Sequence, residues 1–144
     1  MLIGEYTHTI DGKGRVSLPA KFRAELGKKV VLTPGLDSCL FVFAEAEWHK
    51  IAERLSSSSM LQSDTRSFAR FMLGGAVETP VDNIGRILLP EFLRRRSGLR
   101  STVAVIGVQS RLEIWDEKRW LAYKTKVEKQ ADDLAEKLGQ VGVL

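Results

Sequence analysis

Two stretches of the chain, DGKGRVSLP (11–19) and DNIGRILLP (82–90), place Val or Ile and then Leu at the same alternate positions after a shared Gly-Arg. Val16 and Leu18, or Ile87 and Leu89, fall two residues apart and share one face of a short strand, with Arg15 or Arg86 on the other. An extended stretch precedes each, Glu5 to Ile10 and Ala76 to Val81. Pro19 and Pro90 end the short strands and suit the first turn of a short helix, which Gly27 and Gly98 are placed to stop. The apolar runs VVLTPG and LFVFA, and their counterparts VAVIGV and LEIW, predict two further strand pairs. Helices are expected from near Glu45 and Glu117, each with a tryptophan three residues on. A further helix is predicted from Asp64 to Gly74-Gly75, with Phe68, Phe71 and Met72 at helical spacing. Lys118 to Leu138 reads as an amphipathic helix, and the closing GQVGVL as loosely ordered.

These elements form a repeat. Residues 10–19 match 81–90 at an offset of 71, identically at Asp, Gly, Arg, Leu and Pro. The offset becomes 72 farther on, where Gly35, Ser38, Leu40, Glu45 and Trp48 match Gly107, Ser110, Leu112, Glu117 and Trp120. The chain therefore divides into unit 1 (5–50), a connecting helical segment (51–75), unit 2 (76–122) and a C-terminal helix and tail (123–144). Four short strands cannot cover both faces of their own sheet, but two units together can. An intrachain pseudo-dimer is the simplest arrangement.

Composition narrows the function. The 144 residues and 44% apolar content fit a globular chain, with no run approaching the about 20 residues of a membrane span. The start has no secretory pattern, and a single cysteine, Cys39, fits a reducing compartment, so the cytoplasm is expected. The net charge is +4, shared equally between halves, but residues 8–29 hold six basic groups against two acids. Arg86, Arg94, Arg95, Arg96 and Arg100 likewise gather around the second motif.

Catalysis finds little support. GKG lies in the first motif, but no phosphate-loop signature follows. Two histidines, His8 and His49, and one thiol offer neither a metal site nor a nucleophile pair, so no enzyme activity, metal, cofactor or small-molecule substrate is expected. Asp11, Gly14, Asp82 and Gly85 are turn-forming residues: the carboxylates accept from nearby amides and the glycines supply positive φ. The arginines remain. Arg15 and Arg86 either pair with their own turn's aspartate or present a planar fork to guanine and phosphate. Lys13, Arg23 and Arg94 to Arg96 surround them without matching acids, which favours double-stranded DNA as partner. Phe41, Phe43, Trp48, Trp115 and Trp120 sit at core spacing rather than as stacking platforms.

The doubled D-x-x-G-R-[VI]-x-L-P unit resembles the SpoVT/AbrB swapped-hairpin domain, and the tandem spacing resembles the MraZ family across essentially the whole chain. The resemblance implies an α+β fold of two swapped-hairpin units in a pseudo-dimer barrel with flanking helices. It also implies a transcriptional regulator of the division and cell-wall gene cluster, located on the nucleoid, assembling into rings and binding tandem promoter repeats. Carried over by position, Lys13, Arg15 and Arg86 contact DNA, with Arg23 and Arg94 as supporting basic contacts. Ile84 stands where the first copy has Lys13, leaving the second turn one cation poorer. The competing expectation is an oligomeric protein-binding scaffold without DNA readout.

Overall fold

The computed structural model describes residues 1–144 and is α+β. In chain order, β1 (Ile3–Thr9) and β2 (Arg15–Ser17) lead into a 3-10 turn (Ala20–Phe22) that runs on as α1 (Arg23–Leu26). Then come β3 (Lys29–Pro34), β4 (Leu40–Ala44), α2 (Glu45–Ser57) and α3 (Ser63–Gly74). The second half repeats the order with β5 (Val77–Pro80), β6 (Arg86–Leu88), α4 (Glu91–Arg96), β7 (Thr102–Val108), β8 (Leu112–Asp116) and α5 (Glu117–Gln140). Each predicted helix is present. The serine run lies at the C-terminal end of α2, where Ser56 and Ser57 donate back to the carbonyls of Glu53 and Arg54.

Six strands form one sheet in the order β1-β7-β8-β4-β3-β5, and β2 and β6 form a separate two-stranded ribbon. All the ladders are antiparallel, and only β3–β4 and β7–β8 lie within one unit. The others join unit 1 to unit 2: β1 to β7, β5 to β3, β4 to β8 and β2 to β6. The register is reciprocal. Leu40 faces Ile114 while Val42 faces Leu112, and Val16 faces its own repeat equivalent, Ile87. A self-complementary contact has this signature, residue i meeting j and j meeting i.

The expected barrel is not closed. No ladder joins β1 to β5, so the sheet keeps two edges. The D-x-x-G turns separate β1 from β2 and β5 from β6, and the three-residue strands β2 and β6 pair only with each other instead of bridging the two edges.

Alternation along the central strands explains the layers. Leu40 and Val42 point to one core with Val103, Val105, Leu112 and Ile114, closed on its far side by Val16, Ile87, Leu18, Leu89, Phe22 and Leu93. Phe41, Phe43, Ala104, Ile106 and Trp115 point to the opposite face, under Met72 of α3 and the partly buried Trp48 and Trp120. Burial on both faces accounts for the near-continuous apolar runs of β3, β4 and β7. Of the aromatics predicted to be core, Phe41, Phe43 and Trp115 are buried, and Trp48 and Trp120 are partly buried against them. Most of α5 beyond Tyr123 is exposed, and no helix is long and apolar enough to cross a membrane.

Candidate nucleic-acid interface

Each turn is built by one carboxylate. Asp11 Oδ1 accepts from the amides of Lys13 and Arg15, both at 2.9 Å, while its Oδ2 accepts from Arg15 Nε at 2.8 Å. Asp82 repeats the pattern with the amides of Ile84 (3.1 Å) and Arg86 (2.8 Å) and with Arg86 Nε (2.7 Å). Gly14 and Gly85 complete the turns at φ +84° and +83°, a region side chains rarely occupy. The ion pair between each arginine and its own turn's aspartate thus forms in both copies. It engages only Nε. The terminal guanidinium nitrogens of Arg15 and Arg86 have no hydrogen-bond partner in the protein, and both side chains are 29% exposed.

The turns also depend on each other. Leu18 N donates to Gly85 O at 2.8 Å and Leu89 N donates to Gly14 O at 2.9 Å, each crossing between units. Arg23 donates its Nε to Leu18 O, and its guanidinium then lies against Gly85, so closely that a Cβ there would stand 2.1 Å from Nε. Arg94 does the same with Leu89 O and Gly14. The two predicted supporting arginines are thus structural clamps across the repeat as well as local positive charge. Their shared 71-residue offset is the sequence signal that marks them.

The structure gathers Lys13, Arg15, Arg86, Arg23 and Arg94 around one ribbon. In the first turn Arg15 pairs with Asp11 and Arg94 lies over Gly14, and in the second Arg86 pairs with Asp82 and Arg23 lies over Gly85. Lys13 is exposed and makes no side-chain ion pair. Cys39 is buried, and that burial, with the negative charge of Glu113, pushes its thiol up to about 12. No group of histidine, cysteine and acidic residues could hold a metal ion.

Hydrogen bonds hold the Asp11 carboxyl down at about 2: first the Arg15 amide, then the Arg15 side chain and the Lys13 amide. The same arrangement, led by the Arg86 amide, lowers Asp82. A depressed carboxyl pKa adds stability that is present above the ordinary value of 3.8 and lost as pH falls toward about 2. Asp11→Asn keeps an oxygen acceptor but cannot titrate. It is therefore expected to flatten the fall in urea midpoint between about pH 4 and 2 relative to the parent; identical slopes would show that the carboxylate does not hold the turn.

Fold and site together define a class: a duplicated α+β chain whose halves share one core and present paired D-x-x-G-R turns on a common ribbon. The family model described as "MraZ protein, putative antitoxin-like" matches residues 1–71 and again residues 72–140. The chain belongs to the MraZ family. It is 48% identical over 143 residues to the "Transcriptional regulator MraZ" of Caldanaerobacter subterraneus subsp. tengcongensis, covering 99% of this chain and all of that one. The proteins of the same name from Acetivibrio thermocellus and Thermoanaerobacter sp. are 44% and 46% identical over the same shares.

Proposed function

We propose that the chain is a transcriptional regulator that binds double-stranded DNA through the β2–β6 ribbon and its two turns. The observation that carries this reading is the pair of arginines whose Nε is fixed by an aspartate while the outer guanidinium edge stays free. A fork held from behind and open in front suits guanine O6 and N7 or two phosphate oxygens. A major groove admits a two-stranded ribbon, a known way for strands to read a duplex. Lys13 adds a phosphate contact, and Arg23 and Arg94 raise the local potential.

The reciprocal ladders support a pseudo-dimer of two swapped-hairpin units as the reading head. Several chains in a ring would bind tandem promoter repeats, each head raising the effective concentration of the next. The division and cell-wall gene cluster, at the nucleoid in the cytoplasm, is the setting this reading gives it, with no catalysis and no cofactor.

Specific retention in a mobility-shift assay on the promoter upstream of the chain's own gene tests the reading. Affinity is expected to fall steeply with added salt, by a factor that counts the neutralised phosphates. Binding indifferent to salt, or full regulatory activity in a Lys13/Arg15/Arg86 triple-alanine variant, would instead favour a protein scaffold.

A further inference from the structure

The two turns agree in backbone but differ in what they present. At the 71-residue offset, Lys13, Ser17 and Lys21 of the first copy become Ile84, Leu88 and Phe92 in the second. All three replacements are exposed, at 59%, 53% and 50%. The fold does not require them, because Ser17 occupies the position equivalent to Leu88 in a strand of the same geometry. Two of them, Ile84 in the turn and Leu88 in the strand that follows it, belong to one short segment, and exposed large apolar side chains gathered on one segment point to a contact.

Leu88 lies opposite Arg15 in the ribbon, and Ser17 lies opposite Arg86. Since Val16 and Ile87 are buried, strand alternation puts Arg15, Ser17, Arg86 and Leu88 together on the outward face. A protein surface that covered Leu88 would also desolvate the neighbouring guanidinium of Arg15, a costly burial unless matched by acids. The major groove of DNA satisfies both groups at once. It offers guanine and phosphate to the arginine, and the C5-methyl group of thymine to the leucine.

We propose that Leu88, with Ile84 at the turn, contacts thymine methyl groups, so that the second half of the ribbon reads thymine where the first half grips phosphate through Lys13 and Lys21. A protein with reciprocal backbone symmetry then recognises a non-palindromic site. This inference rests on the DNA-binding reading above.

The probe is the tightest duplex that the full-length chain selects from a randomised library. Each thymine is replaced in turn by deoxyuridine, which removes only the methyl group. At one or two positions in one half of the site, the replacement is expected to weaken binding about fourfold, the worth of one buried methyl-sized group. Leu88→Ser, which installs the residue of the first copy, is expected to cost a similar factor and to become indifferent to the same deoxyuridine. Ile84→Lys is expected to steepen the salt dependence by about one phosphate contact. A site indifferent to every deoxyuridine, or a penalty that persists undiminished in Leu88→Ser, leaves DNA binding intact and overturns this inference. Failure to select any duplex overturns both readings together.

Discussion

Arg15→Ala is expected to abolish specific retention of DNA in a mobility-shift assay while leaving the thermal midpoint and the assembly size unchanged. A bidentate arginine contact is worth about 1–3 kcal/mol of discrimination, so roughly 5- to 150-fold in affinity is at stake. The variant is a clean one. Asp11 keeps its bonds to the backbone amides of residues 13 and 15, so the turn survives the loss of the side chain. Arg86→Ala is expected to act in the same direction, and Lys13→Ala to weaken all sequences alike with a shallower salt slope. An unchanged shift with Arg15→Ala would remove this residue from the interface. A lowered midpoint would mean that its ion pair serves the fold instead.

Leu18→Ala and Leu89→Ala carry the largest expected cost to stability. Both side chains are essentially inaccessible, at 0% and 1%, and both belong to the core beneath the ribbon. Truncating a buried leucine costs about 2–5 kcal/mol through lost transfer energy and the cavity left behind. Because each leucine also reaches across to the other unit's turn glycine, neither half is expected to melt by itself. Urea unfolding of either variant should show one transition at a lower midpoint with an unchanged slope. Two separated transitions would mean that the halves do not share their core.

Much of this fold is written locally. An aspartate that ties two amides, and a glycine at positive φ, declare themselves within five residues, and they do so twice. The near-continuous apolar runs of β3, β4 and β7 are equally legible, because burial on both faces demands apolar sequence on both. Pairing partners are another matter. Nothing in Glu5 to Thr9 states that β1 lies against β7 rather than its neighbour β2, since hydrogen bonding between backbones carries no side-chain label. The open sheet was hidden for the same reason. The arginines divide similarly. The bond of Arg15 to Asp11 spans four residues and can be anticipated, whereas the packing of Arg94 over Gly14 spans 80 and exists only in the folded chain. Alternation puts Leu88 on the face of Arg86, but that this face stays open to solvent could not be read, because an apolar strand residue is usually taken for core.

The covalent link between the two halves has a consequence for how the protein behaves when scarce. The ribbon is made of one strand from each half, and both halves belong to one polypeptide joined through α2 and α3. Dilution cannot take such a ribbon apart. A ribbon assembled from two separate chains would dissociate as its concentration fell, and the number of intact ribbons would then vary with the square of protein supply. Here a complete ribbon exists for every chain synthesised, so the number of ribbons rises in simple proportion to the number of chains.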